Sequence, residues 1–165
     1  MTILQLNASN KRRELFDFIK ESNLIEDIKR DPTEAEIEVT QIFLESGHLD
    51  IIQMEELAET YQPSARLRGS HGMDVRVGRY YPPRGGPSIP VKLKGILAEA
   101  MECRKKPYEI HCDFEGLHPF TDGNGRVGRA LWAWTMLRQK GWESTFALTF
   151  LHRWYYQSLD RLRDV

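Results

Sequence analysis

The sequence has little of what marks secreted or membrane proteins. Only two cysteines occur, Cys103 and Cys112, which are too few for a disulfide framework and match no metal-binding spacing. No run of about 18 apolar residues is present, and the N-terminal segment lacks an apolar stretch of signal-peptide length. We therefore expect a cytoplasmic protein with reduced thiols and no membrane partner.

A marked excess of one charge is also missing. The 165-residue chain has 23 Lys and Arg against 24 Asp and Glu, for a net charge of −1. This balance disfavours a general nucleic-acid-binding function, so no nucleic-acid partner is expected. With 41% hydrophobic and 28% charged residues and no internal repeat, the composition predicts one globular domain over residues 1–165.

Apolar residues recur at helical spacing along most of the chain. The spacing predicts a first helix over residues 9–30, a second that begins at Asp31-Pro32 and ends at Gly47, and a third capped by Asp50. Further helices are predicted near residues 93–101, 107–117, 125–139 and 147–163. The predicted fold class is therefore all-α, without the βαβ alternation of a Rossmann or P-loop fold.

Residues 63–90 differ from the rest, because five prolines and five glycines make long regular structure improbable there. Apolar and polar residues alternate over Met73–Val77, and Gly78-Arg79 is suited to a turn, which together predict a short β-hairpin ending at Tyr80-Tyr81. Between residues 64 and 94, seven Lys and Arg accompany one acid, Asp74. This segment is either a solvated loop or a positive rim for an anionic ligand or an acidic protein.

The run HPFTDGNGRVGR, residues 118–129, has the features of an anion-binding site. Gly123 and Gly125 allow positive φ around Asn124, so successive N–H groups can point to one side, and a helix follows directly. Arg126 and Arg129 share a helix face and suit a polyphosphate. Asp122 supplies the kind of oxygen ligand that Mg²⁺ prefers.

His118 stands at the start of this run. Pro119 favours an extended backbone at His118, so the preceding helix should end there. The imidazole would then face the phosphate nest, where it could take a proton from an attacking hydroxyl. Phe120 is then expected to anchor the loop in the core. Each feature alone has an ordinary alternative, such as a turn or a solvated helix face, but their combination within one short run is specific.

The run resembles the Fic-domain signature HPFx(D/E)GNGRxxR and matches every defined position. Residues 72–83 also resemble the flap of that family, whose fold is all-α with a β-hairpin flap. The resemblance implies an adenylyltransferase that moves AMP from ATP, with Mg²⁺, to a Ser, Thr or Tyr hydroxyl of a target protein docked at the flap.

The resemblance also implies a role for each residue of the signature. His118 would be the general base, and Asp122 would hold Mg²⁺ between the α- and β-phosphates. Residues 123–125 would form the phosphate nest, with Arg126 and Arg129 on the distal phosphates. Gly125 favours AMP transfer over the phosphotransferase branch, which has a lysine at this position.

A second segment, Ser22–Asp27, resembles the inhibitory motif (S/T)xxxE(G/N) of some family members. In those proteins the glutamate pairs with the second arginine of the signature, so Glu26 would pair with Arg129 and block productive ATP binding. Asp27 departs from the Gly or Asn usual at that position. The ordinary alternative for Glu26 is an exposed residue of an amphipathic helix.

Other functions stay open at this point. The same residues could serve a non-catalytic nucleotide-binding module, although a base such as His118 is not needed for binding alone. A Fic enzyme could also move another phosphate-linked group. Modification of the protein itself and formation of an oligomer are both compatible with the sequence.

Overall fold

The computed structural model describes residues 3–147, with side chains from residue 9 onward. Within this range the chain is predominantly helical, which confirms the predicted all-α class. No helix in that range is both long and apolar enough to cross a membrane. The helices are α1 (Ile3–Ile25), α2 (Glu34–Glu45), α3 (Ile51–Tyr61), α4 (Ser88–Met101), α5 (Pro107–Leu117), α6 (Asn124–Lys140) and α7 (Trp142–Ala147).

Helix α6 forms the centre of the fold. It packs against α1, α2, α3, α5 and α7, and its residues from 126 to 136 are buried. A helix enclosed on all sides must be apolar or have partners for its polar groups. Its two buried arginines, Arg126 and Arg129, therefore need partners from the neighbouring elements, and they bring the candidate site to the N-terminal end of α6.

The predicted boundary between the first two helices is wrong. Helix α1 ends at Ile25, five residues before the predicted end, and α2 begins at Glu34 with Thr33 as its N-cap. Thr33 and Glu36 form a reciprocal capping box, which satisfies more backbone donors than an Asp31 cap alone. Asp31 instead forms an ion pair with Lys20 at 2.7 Å.

Other boundaries follow the sequence closely. Asp50 caps α3, since its carboxylate accepts the N–H of Gln53 at 2.9 Å, and α5 occupies the predicted residues. Helix α2 ends two residues before the predicted Gly47. Helix α7 was not predicted, and the predicted helix over 147–163 lies outside the described residues except for its first position.

The predicted flap at 63–90 has only minimal β structure in the described chain. Val77 and Tyr80 form one antiparallel bridge, with N–H···O distances of 2.9 and 2.8 Å, around a Gly78 with a φ of 58°. The turn at Gly78-Arg79 is therefore present, whereas the strands on either side of it are not. The full hairpin stays a prediction.

Candidate active site

An open cleft of about 510 Å³ lies at the N-terminal end of α6. Its walls come from the residues just after α1 and α3, the segment 75–78 and the loop before α6. The run at 118–129 thus meets the segment that resembles the inhibitory motif and the predicted flap around one cavity. The lining includes Glu26, Gln62, Arg76, His118, Asp122 and residues 123–126.

The N-terminus of α6 presents unpaired backbone donors to this cleft. Gly123 is the N-cap, with φ of 74°, a conformation that favours glycine. The N–H groups of Asn124, Gly125 and Arg126 begin the helix and have no intrahelical acceptor. Gly123 differs from the predicted nest, because its own N–H donates to the Asp122 carboxylate at 2.7 Å. The helix start remains a suitable anion site.

Asn124 and Phe120 hold the loop in shape. The Asn124 side chain accepts the N–H of Phe120 at 2.9 Å and donates to the carbonyl of Phe120 at 2.8 Å. Both residues are buried, and Phe120 anchors in the core as predicted. The Asn124 amide is therefore used to fix the loop, and only its backbone N–H is available to a ligand.

Arg126 lines the cleft, although its side chain is mostly buried. Its Nε and Nη1 atoms are buried and have no hydrogen-bond partner among the described residues, while its Nη2 donates to Gln62 Oε1 at 3.4 Å. Its Nη1 lies 3.7 Å from Glu36 Oε1, and its guanidinium lies over the Tyr61 ring at 5.6 Å. Burial lowers the pKa of Arg126, although a guanidinium stays protonated in proteins. This cation is well placed for a phosphate.

Glu36 keeps Arg126 in place. Burial opposes ionisation of Glu36, but hydrogen bonds from Arg30 and from the Thr33 N–H outweigh it and lower the pKa of the carboxyl. Arg30 binds both carboxylate oxygens at 2.8 Å. The Glu36 carboxylate is thus an anion at neutral pH that lies between two guanidiniums. The sequence analysis did not identify this residue.

Arg129 is fully buried and already has partners from α1 and the residue after it. Its Nε donates to Ser22 Oγ at 2.7 Å, and its Nη2 donates to the Ser22 carbonyl at 3.0 Å and to Glu26 Oε1 at 2.6 Å. The structure therefore brings together Glu26 and Arg129, the pair that the inhibitory-motif resemblance implies, and adds Ser22 of the same motif as a second partner of Arg129. Arg129 does not belong to the cleft lining in this arrangement, unlike Arg126.

The departure at Asp27 does not prevent this arrangement. Asp27 takes the left-handed conformation, with φ of 58°. The Ile28 N–H donates to the Asn23 carbonyl at 2.9 Å, and the Asp27 N–H donates to the Leu24 carbonyl at 3.1 Å. These two bonds define a Schellman motif, which ends the helix with Glu26 as its C-cap.

The backbone of His118 is not extended as predicted. His118 has φ of 50° and ψ of 61°, and it is the C-cap of α5, with its N–H on the Phe114 carbonyl. The preference that Pro119 imposes on this backbone is overridden by the helix cap and by the hydrogen bonds of the following loop. The side chain still lines the cleft and is 14% exposed.

Arg68 organises this turn and was missed by the sequence analysis, which grouped it with the basic rim. It is fully buried, and its guanidinium donates to the carbonyls of Leu117, His118 and Pro83 at 2.7–2.9 Å. Its backbone N–H donates to Pro119. One side chain therefore joins the end of α5 to the flap segment. Its sequence signal, a lone arginine in a basic loop, gave no indication of burial.

Asp122 is the candidate ligand for Mg²⁺. It is exposed, lines the cleft and has one oxygen oriented by the Gly123 N–H. No group of three or more potential ligating side chains occurs in the described part of the chain. A single carboxylate fits Mg²⁺ held mainly by substrate phosphates and water, a common mode for this ion.

The fold and this site define a class: an all-helical domain whose central helix presents an anion-binding N-terminus beside a histidine. The Fic/DOC family model matches residues 43–136, more than half of the chain. The chain therefore belongs to the Fic/DOC family. No curated protein matches it. Helix α1 and Glu26 lie outside the matched residues, so the proposed regulatory role rests on their contacts.

Proposed function

We propose that this protein transfers AMP from ATP to a Ser, Thr or Tyr hydroxyl of a target protein. The observation that carries the proposal is the position of His118 in the same cleft as the α6 N-terminus and Arg126, within a Fic/DOC domain. A binding module would need the anion site alone. A histidine beside it adds a base that can activate a nucleophile.

The reaction assigns one task to each group. His118 takes the proton of the target hydroxyl as the oxygen attacks the α-phosphorus of ATP. The bond between that phosphorus and the bridging oxygen to the β-phosphate breaks, and pyrophosphate leaves. The α6 N–H groups and Arg126 hold the phosphates in line, which supplies positioning and charge stabilisation. Gly125 leaves these N–H groups accessible.

Mg²⁺ would be held by Asp122 together with phosphate oxygens, and when bound it supplies charge neutralisation at the phosphates. The Asp122 carboxylate is restrained by the Gly123 N–H at 2.7 Å. That bond leaves the second carboxylate oxygen for the ion. The chain's own contribution is thus one oriented oxygen ligand at the edge of the anion site.

We further propose that Glu26 inhibits the enzyme. Its carboxylate holds Arg129, which the family resemblance assigns to the distal phosphates, and it also lines the cleft. A phosphate approaching that arginine would meet a carboxylate at the same place. A Cβ at Gly125 would lie 2.1 Å from Glu26 Oε1, so the missing side chain at 125 is what admits this contact.

The test is transfer of label from ATP bearing a labelled α-phosphate, with Mg²⁺, to lysate proteins and to the protein itself. The Glu26→Gly chain is compared with the Glu26→Gly/His118→Ala chain. We expect His118→Ala to lower transfer by about 10²–10⁴-fold while ATP binding, measured by calorimetry, stays largely intact. Equal transfer by both chains removes His118 from the mechanism.

Two other outcomes would replace the proposal. ATP binding without transfer in either chain favours a nucleotide-binding module. Transfer from another labelled nucleotide but not from ATP keeps the Fic-type chemistry and changes the donor. Label on the protein itself establishes self-modification, and label on a single lysate protein identifies a target.

A further inference from the structure

We propose that Glu115 is the positioning residue of His118: its carboxylate lies near Nδ1 and, through its negative charge, favours the Nδ1-protonated tautomer and stabilises the imidazolium. This inference rests on the proposed function for its catalytic consequence. The pairing itself is a property of the folded chain. It assigns a role to a buried carboxylate that the phosphate site does not use.

The first support is the distance and burial of the pair. Glu115 Oε2 lies 3.9 Å from His118 Nδ1, three residues apart at the end of α5. Glu115 is 4% exposed, and His118 Nδ1 is itself a buried atom. A buried carboxylate is costly unless it lies near positive charge or hydrogen-bond donors. An imidazole that becomes protonated during the reaction is such a partner.

The second support is that the helix packing leaves room for this carboxylate. A Cβ at Gly128 would lie 2.4 Å from Glu115 Oε1. Gly128 is an undefined position of the signature, so the signature alone does not require glycine there. In this chain the missing side chain lets α6 approach α5 while Glu115 keeps its place beside His118.

The third support is that the backbone of His118 is already fixed. Its N–H donates to Phe114, and its carbonyl accepts from Arg68 at 2.7 Å. With the backbone fixed, a nearby carboxylate acts on the ring at a constant position relative to α5. Since Nδ1 is buried and the side chain lines the cleft, Nε2 is the nitrogen that can receive the proton of the target hydroxyl.

Other charged and titratable groups near His118 also influence its pKa, so the experiment must leave them unchanged. His111 lies one turn before Glu115 on α5, and Arg68 lies against the His118 carbonyl. The cleft itself carries further charges, and Tyr80 donates its hydroxyl to the Gly116 carbonyl beside this turn. All of these stay unchanged when only Glu115 is altered. The charged residues of the cleft are Glu26, Arg76, Asp122 and Arg126.

The experiment compares Glu115→Gln with a matched control on the same helix. Asp113→Asn also removes one negative charge from α5, but Asp113 pairs with Lys105 at 2.7 Å rather than with the histidine. Nitrogen NMR of ¹⁵N-histidine-labelled full-length protein follows the tautomer and pKa of His118. We expect Glu115→Gln to lower that pKa by about one unit and to mix the tautomers, with no change in Asp113→Asn.

Kinetics in the Glu26→Gly chain give the second measurement. We expect Glu115→Gln to lower kcat about ten- to hundredfold, with the KM for ATP unchanged and the acid limb of the pH profile shifted to lower pH. Glu115→Asp, which shortens the side chain and draws the carboxylate away from Nδ1 without removing its charge, should shift the pKa in the same direction. It replaces Glu115→Gln if that chain does not fold.

The outcomes separate this inference from the proposed function. A His118 pKa and tautomer that match the Asp113→Asn control in both variants overturn the role of Glu115. A shifted pKa in a protein that never transfers AMP keeps the pair and rejects the proposed reaction. A fall in kcat without any NMR change also overturns the inference, since a merely structural role predicts that result.

Discussion

Glu26 reaches Arg129 across the bare backbone of Gly125, with 2.6 Å between the carboxylate oxygen and the guanidinium nitrogen. The contact joins two residues that are 103 positions apart in the sequence. Ser22 supplies two further bonds to the same guanidinium from the last turns of α1. The end of α1 is thus attached to the centre of the fold at the candidate phosphate site.

The first prediction is that Glu26→Gly raises transfer, whereas Arg129→Ala does not. Loss of the carboxylate frees the guanidinium for ATP, but loss of the guanidinium also deletes the phosphate contact. A hydrogen bond to a charged group is worth about 1.5–3 kcal/mol, which corresponds to roughly 10–150-fold in rate. Initial rates of self-modification and lysate labelling measure the effect.

Glu26→Gln serves as the charge-only control, because it changes neither the length of the side chain nor the backbone preference. We expect it to activate as well. If both Glu26 variants label no faster than wild type at saturating ATP and bind ATP no differently, α1 is only a scaffold and the motif match is accidental.

The second prediction concerns the metal. Asp122→Ala should remove most of the Mg²⁺ dependence along with most of the activity, because the described residues offer no other carboxylate oriented by the loop itself. Asp122→Asn retains the size of the side chain and isolates the charge. Metal titrations at fixed ATP are the measurement, and superimposable curves for Asp122→Ala and wild type would exclude this ligand.

The third prediction follows from the Schellman motif at the end of α1. Asp27 has a φ of 58°, and a non-glycine residue in the left-handed region costs about 1 kcal/mol or more. Asp27→Gly should therefore raise the free energy of unfolding by about 1 kcal/mol and, by holding Glu26 more firmly, lower basal transfer. Urea unfolding and labelling rates test both effects.

The control for this change is Lys29→Ala, which alters an exposed residue of the same turn whose ion pair among the described residues is with Asp27. Exposed ion pairs contribute little, so its unfolding free energy should stay close to that of wild type. A less stable or more active Asp27→Gly protein would show that the backbone strain assigned to this turn is absent.

Local signals in the sequence predicted most of the helices and the loop before α6. They did not predict contacts between residues far apart in the chain. Helical periodicity and the Asp50 cap located α3 and α5, and the signature run located the loop before α6. Arg68 was missed because burial of a charged side chain depends on partners far along the chain. Glu36 had a local signal, its place three residues after Thr33 in a capping box, but its contact with Arg126 was not visible. For Glu115, the sequence showed that it precedes His118 by three residues. It did not show that Gly128 of α6 leaves room for the Glu115 carboxylate.

The two errors have different origins. The Asp31-Pro32 signal was overridden by a second local signal, the Thr33–Glu36 capping box, which the sequence also contains. The extended preference before Pro119 was overridden by the His118 cap and by hydrogen bonds from Arg68, 50 positions away. Such a local preference is worth about 1 kcal/mol, which a few tertiary hydrogen bonds exceed. The contact between Glu26 and Arg129 agrees with the pairing that the motif resemblance implies, because such a motif carries tertiary information that periodicity lacks.

The last prediction is a loss of stability at acid pH that originates at His111. This residue is fully buried between α5 and α6, and burial, with a smaller effect of the Arg129 charge, lowers its pKa to about 3. In the unfolded chain the pKa of histidine is about 6.5. Between these two values the unfolded state binds more protons, so the stability that neutral His111 contributes is complete above pH 6.5 and is lost progressively as the pH falls toward 3. At pH 5 the loss amounts to about 2 kcal/mol.

Urea unfolding at pH 7.5, 6 and 5 should show this decrease in the free energy of unfolding in wild type and in His48→Gln, whose histidine is exposed, but not in His111→Gln. No measurement is made below pH 5, because there the protonation of carboxylates such as Glu36 also lowers the free energy of unfolding. If His111→Gln keeps the wild-type slope, the buried histidine is not its source.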